Sequence, residues 1–257
     1  MGFTVALVQT ALAWQDPEAN RQHVEPLIRP QSGKADLIVL PEMFSSGFTM
    51  EPATLPRQQG LQTLDWMREM AFATDAALAG SIVWPEGDAY YNRFVFMEPS
   101  GEYHTYDKRH TFTLSGEDQV YRSGTRKVDV TFRGLTFSLQ ICYDLRFPVW
   151  SRNTSDYDAL LYVANWPAPR VGAWDALLKA RAIENMAYVV GVNRTGSDAN
   201  GLEYLGHSAV YDGLGEQVAY AGEKDAVITA KLSREHLLEA RKKLRFLEDR
   251  DVFTPGW

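Results

Sequence analysis

Apolar positions along this chain follow two rhythms: short runs or alternations of period two, and longer stretches of period three to four. The first rhythm predicts strands at Phe3–Val8, Leu37–Leu40, Ala77–Trp84, Arg93–Met97, Tyr103–Lys108, Leu135–Ile141, Ala159–Ala164, Tyr188–Asn193, Ser208–Tyr211, Gln217–Tyr220 and Ala226–Lys231. Leu37-Ile-Val-Leu40 and Tyr188-Val-Val-Gly-Val192 are apolar throughout, as strands covered on both faces require. Pro99-Ser-Gly-Glu102 and Asp212-Gly-Leu-Gly215 carry the turn residues of hairpins.

The second rhythm predicts helices between the strands. Asp16 followed by Pro17 and Glu18 reads as an N-cap with proline at the first helical position, leading toward Ile28. Leu61, Leu64, Met67, Met70 and Ala71 recur at helical spacing, as do Trp174, Leu177, Leu178 and Arg181 in a segment ending near Asn185. A last helix is expected from Ser233, with Glu235 and Leu237-Leu238 behind it. Helices alternating with buried strands, and hairpins toward the end, predict a layered α/β domain with a mixed sheet. Neither an internal repeat nor a low-complexity stretch nor a glycine- or proline-rich linker divides the sequence, so residues 1–257 are expected to form one domain. Arg245–Trp257 lies beyond the last helix and is expected to pack either on a partner subunit or on its own domain.

Charge narrows the partners. With 26 basic and 33 acidic side chains the net charge is −7, which argues against nucleic acid or an anionic membrane as the main partner. The apolar start Met1–Val8 is short, lacks a positive charge and runs into Gln9-Thr10, so it reads as a strand and not as a secretory signal. No apolar run reaches the roughly 18 residues a membrane span needs. One cysteine cannot form an internal disulfide, and a cytoplasmic protein is expected.

Three strands end on a reactive side chain. Leu37-Ile-Val-Leu-Pro-Glu42 delivers a carboxylate, Tyr103-His-Thr-Tyr-Asp-Lys108 an ammonium, and Leu139-Gln-Ile-Cys142 a thiol. The crevice beyond the carboxyl ends of strands is where α/β sheets build sites. A free thiol is mostly protonated at neutral pH, so it needs a neighbouring carboxylate to take its proton as it attacks. An ammonium beside the same carbon favours the oxyanion that forms, and the backbone N–H of Tyr143, just after the thiol, is placed to be a second donor. Taken singly, Glu42 reads as a surface carboxylate, Lys108 as part of a solvated charge run, and Cys142 as a small buried hydrophobe; the joint pattern gives them weight.

That pattern resembles the nitrilase (carbon–nitrogen hydrolase) superfamily over essentially the whole chain. The matching stretches are Leu40-Pro-Glu42-Met-Phe, Tyr106-Asp-Lys108-Arg-His, Ile141-Cys142-Tyr-Asp-Leu-Arg-Phe-Pro148, Trp174 through Arg181-Ala-Ile-Glu-Asn185, and Gly206-His-Ser208. The resemblance implies a catalytic set of Glu42 as general base and acid, Lys108 as oxyanion stabiliser and Cys142 as nucleophile. A supporting second glutamate is best matched by Glu117, beside Asp118. Within the superfamily the chain is similar to bacterial omega-amidases, through Glu42-Met-Phe-Ser-Ser-Gly-Phe48, Ala164-Asn-Trp-Pro-Ala-Pro169 and Val192-Asn-Arg-Thr-Gly-Ser-Asp198. This implies a four-layer αββα sandwich of two mixed sheets flanked by helices, a homodimer, no cofactor, and hydrolysis of 2-oxoglutaramate or 2-oxosuccinamate through a cysteine thioester. Other small amides, such as deaminated glutathione or an N-carbamoyl compound, stay open, as does a catalytically silent binding protein on the same fold.

Recognition of an anionic substrate needs a donor that survives desolvation, and arginine fits a carboxylate bidentately. Arg146 is expected in a structural pair near the nucleophile, Arg170 is the stronger substrate candidate, and Arg194 is a third. Phe44, Phe48 and Trp166 are candidates to wall a small pocket. A papain-like pairing of Cys142 with His207 lacks matching neighbours, and the five scattered histidines show no metal-ligand spacing.

Overall fold

Two six-stranded mixed sheets lie face to face, each covered by helices on its outer side, in a computed structural model that describes residues 2–253. The strands are β1 Phe3–Gln9, β2 Leu37–Val39, β3 Ala77–Glu86, β4 Ala89–Met97, β5 Tyr103–Asp107, β6 Asp129–Phe132, β7 Leu135–Ile141, β8 Ala159–Ala164, β9 Tyr188–Asn193, β10 Thr195–Ser197, β11 Glu203–Leu205, β12 Ala209–Tyr211, β13 Gln217–Tyr220 and β14 Ala226–Leu232. The helices are α1 Pro17–Ile28, α2 Gln59–Thr74, α3 Glu117–Val120, α4 Pro148–Ser151, α5 Val171–Asn185 and α6 Arg234–Leu244.

Strand periodicity builds the layers. In β1, Val5 and Leu7 face the other sheet while Ala6 and Val8 face α1 and α2. In β7, Leu135, Phe137, Leu139 and Ile141 all face inward, as the alternation in the sequence predicts. The two inner faces share one core, in which Phe137 packs between Phe3 and Phe96 with ring centroids 5.3 and 5.9 Å away. The outer face of the second sheet is covered by α5 through Trp174, Leu178 and Ala182. The expected caps form: Asp16 accepts from the Ala19 amide and Ser233 from the His236 amide.

Strand order in the sheets is β14-β1-β2-β3-β4-β5 and β13-β12-β9-β8-β7-β6. Both follow one plan. Three parallel strands (β1, β2, β3 and β7, β8, β9) are flanked by one antiparallel strand on one side and by two successive reversals of direction on the other. The sequence carries no visible repeat, yet the topology does, because topology records pairing and not residue identity.

Two reversals return β5 to the direction of β3, so β2 and β5 both end at one edge of the first sheet. In the second sheet, parallel β7 and β8 end at the edge facing it. Strands β6, β10 and β11 are absent from the sequence-based expectation, and β4 begins four residues before Arg93. Leu61, expected on the buried face of α2, is 57% exposed; Leu64, Met67, Met70 and Ala71 carry the packing. Beyond α6, Arg250 ties the tail to Asp156 of the same chain; residues 254–257 of the expected tail lie outside the described residues. Among the described residues, no helix is long and apolar enough to cross a membrane.

Candidate active site

Four strand ends meet where the two sheets face each other. Glu42 follows β2, Lys108 follows β5, Cys142 follows β7 and Asn165 follows β8. The chain turns sharply after two of them: Met43 and Cys142 both hold φ of +44°. Residues with side chains rarely adopt this left-handed conformation without surrounding support. For Met43 the support is Ser81, whose Oγ and carbonyl accept from the Met43 and Phe44 amides. For Cys142 it is Asp144, whose Oδ2 accepts from the Ile141 amide at 2.9 Å.

Glu42, Lys108 and Glu117 are each at most 1% exposed. Lys108 Nζ donates to Glu42 Oε1 at 2.8 Å and to Glu117 Oε2 at 2.9 Å. Asn92 Nδ2, from β4, bridges the same two carboxylates at 2.8 and 3.2 Å. The Phe112 amide donates to Glu117 Oε2 at 2.5 Å, and the Asn165 amide to Glu42 Oε2 at 2.8 Å. Buried charges survive only when paired and hydrogen-bonded in this way. Asp118 is exposed, so Glu117 is the carboxylate that turns inward.

The electrostatics follow from burial and charge. Burial opposes the Lys108 charge, but Glu117 and then Glu42 outweigh it and hold the ammonium above the ordinary lysine range. Burial lifts the Glu117 carboxyl against the pull of Lys108, and the Glu42 charge adds to the rise. The Cys142 thiol is pushed well above its usual value by burial first and the Glu42 charge second, with Lys108 opposing both. The resting sulfur is therefore a thiol, beside a carboxylate able to take its proton.

A second network fixes the loops. Asp144 Oδ2 accepts from Tyr106 OH at 2.8 Å, and Asp144 Oδ1 accepts from the His110 amide at 3.0 Å. His110 stacks flat on Phe147, ring centroids 3.6 Å apart. The Lys108 loop and the Cys142 turn are thus pinned to one carboxylate.

Lys108, Cys142, Tyr143 and Asn165 line a cavity of about 560 Å³, walled by Phe48, Trp166 and other apolar side chains. Phe48 lies with its ring centre 5.1 Å from Lys108 Nζ. Arg170 also lines the cavity. Phe44 does not: it lies in the turn after β2 and packs against Trp66 in the core beneath α2. Arg146 departs from the expected structural pair. It is exposed, lines the cavity, lies over the Trp166 ring and forms no ion pair among the described residues. Arg194 is buried away from the cavity, donating to the carbonyls of Leu12, Thr195 and Ser197. His207 lies against Asp175, with Nδ1 2.9 Å from its carboxylate, and does not reach the cavity.

Sequence reasoning missed Asn92, Asn165 and the anchoring role of Asp144. Asn92 had a signal, an uncharged polar side chain in the middle of an aromatic-rich strand. Asn165 and Asp144 lie inside motifs whose neighbours drew the attention.

Residues 4–242 match the family model for carbon-nitrogen hydrolase. The chain is 47% identical to omega-amidase YafV of Escherichia coli strain K12 over 253 residues, covering 98% of each chain. It is 30% identical to 2-oxoglutaramate amidase of Bacillus subtilis strain 168 over 254 residues, covering 97% of this chain and 98% of that one. A CN-hydrolase superfamily protein of Xanthomonas campestris, whose crystal structure carries an arsenic adduct in the active site, superimposes with a TM-score of 0.96 at 38% identity, covering 100% of both chains.

Proposed function

The chain belongs to the carbon–nitrogen hydrolase family, and from that premise we propose that it is an omega-amidase, releasing ammonia from the side-chain amide of 2-oxoglutaramate or a similar 2-oxo dicarboxylic monoamide. The observation that carries the reading is a buried ammonium, Lys108, paired with the carboxylates of Glu42 and Glu117 and lining the same cavity as the half-buried Cys142 thiol. The named activities of the E. coli and B. subtilis relatives supply the substrate class.

In the proposed reaction, Cys142 Sγ attacks the amide carbon while its proton passes to Glu42. The carbonyl oxygen becomes an oxyanion, held by Lys108 Nζ and the Tyr143 amide. Each such donor is worth about 10²–10³ in rate. The C–N bond then breaks as Glu42 returns the proton to nitrogen, and ammonia leaves a thioester on Cys142. Water attacks the thioester with Glu42 as base, the C–S bond breaks, and the proton returns to sulfur as the 2-oxo acid departs. Glu117 and Asn92 hold Lys108 and Glu42 in register, and Phe48 and Trp166 wall the substrate. Apart from substrate and water, every group in this scheme is a side chain or main-chain amide of the protein.

Replacing Cys142 with Ala is expected to abolish ammonia release from 2-oxoglutaramate while leaving circular dichroism unchanged. Undiminished turnover would remove the nucleophile. The reading also includes a homodimer acting in the cytoplasm on a free small molecule, and cell fractionation checks the location.

A further inference from the structure

Two guanidinium groups face the catalytic cavity with no carboxylate to meet them. Arg146 lies with its guanidinium carbon 4.9 Å from the centre of the Trp166 ring, and Arg170 lies 5.3 Å from that of Phe112. Neither forms an ion pair among the described residues, and both line the cavity. The third cation there, Lys108, is already engaged by Glu42 and Glu117.

The acids at the rim are occupied elsewhere. Asp198 Oδ2 accepts from Tyr204 OH at 2.8 Å, and Oδ1 accepts from the Asn200 and Leu202 amides. Glu51 accepts from Gln15 Nε2 at 3.4 Å. An anion entering the cavity therefore meets free charged donors at the two arginines.

One indole organises both. Trp166 is 3% exposed, and its main-chain N–H and C=O are both held by the Asn193 side chain, at 2.8 and 3.0 Å. Its ring backs Arg146, while its Nε1 donates to the Arg170 carbonyl at 2.7 Å. Arg146 also closes the same 3-10 turn that Cys142 opens, which fixes its main chain relative to the nucleophile. A guanidinium is a planar fork of donors whose edge matches a carboxylate.

We propose that Arg146 and Arg170 form a clamp for the distal carboxylate of the substrate and determine which amides are accepted. The clamp deepens the omega-amidase reading and rests on it. Guanidinium groups offer donors and no acceptor, so a 2-oxo oxygen beside the carboxylate accepts from them. The 2-ammonium of an amino acid such as glutamine instead brings a third cation to two others. Selection for 2-oxo acids over amino acids thus follows from the same two side chains.

The test compares kcat/KM on 2-oxoglutaramate with kcat/KM on pentanamide, a neutral amide of the same chain length, for wild type, Arg146→Met, Arg170→Met and Arg170→Lys. Each Met variant is expected to lower the ratio of charged to neutral substrate by about 10–100-fold, carried by KM, as loss of a charged hydrogen bond predicts. The Lys variant, which keeps the charge without the fork, is expected to recover part of the ratio. An unchanged circular dichroism spectrum and urea unfolding midpoint check that each variant is folded. A ratio within twofold of wild type in both Met variants overturns the clamp alone. A wild-type enzyme with no preference for the carboxylate-bearing amide overturns the clamp and the omega-amidase reading together.

Discussion

At the scale of single residues, the carboxylate beside the sulfur has two effects of opposite sign. Glu42 raises the energy of the thiolate by its charge, yet it is the base that permits attack. Removing the charge while keeping the shape separates these effects. In Glu42→Gln the second cause lifting the thiol is gone while Lys108 still pulls down, so the midpoint for thiolate formation moves to lower pH. Iodoacetamide, which needs only the thiolate, is therefore expected to label Glu42→Gln faster than wild type at pH 7, although ammonia release is lost. Slower labelling in the variant would show that Glu42 does not oppose the thiolate. Glu42 and Cys142 were legible in the sequence because each ends an apolar strand, where a polar side chain stands out; Lys108 ends the largely polar β5 and was legible through the motif Tyr106-Asp-Lys108-Arg-His. Asn92 and Asn165 were less so, since their value lies in which carboxylate they reach across 50 and 123 residues of chain. No local pattern encodes such a pairing.

At the scale of elements, the long strands and helices were legible because burial imposes a period on them. β7, β8, β9 and β13 begin and end where the apolar pattern does. β6 was missed although its four residues alternate, and β10, Thr195-Gly-Ser197, offers no apolar side chain to mark a strand. Contact between elements is harder to read than the elements themselves, as Gly191 illustrates. A Cβ added there would stand 2.6 Å from Leu178 Cδ1 and 2.9 Å from Trp174 Cζ2, both on α5. The glycine thus sets how closely α5 approaches β9, and α5 begins at the Arg170 end of the cavity. Gly191→Ala is expected to cost about 1–3 kcal/mol through overpacking. In urea unfolding this would appear as a lower midpoint with unchanged slope; an unchanged midpoint would mean that α5 shifts freely.

At the scale of the whole molecule, resemblance carried the four-layer architecture further than periodicity did. Periodicity supports a layered α/β domain, but two stacked sheets leave no mark distinct from one larger sheet. The proposed homodimer belongs to this scale as well. Light scattering on the purified protein is expected to give twice the chain mass of 29.0 kDa, and a monomer at micromolar concentration would remove the dimer. The repeated sheet plan has one consequence of its own. The first six-stranded layer contributes the acid and the amine, the second the sulfur, and the chain between them passes through exposed Thr125 and Arg126. A polypeptide cut there would yield two inert pieces. Reunion would demand more than docking, since β14, made last, must thread back beside β1. Activity regained from such severed parts would therefore report a strand lent by one piece to the other.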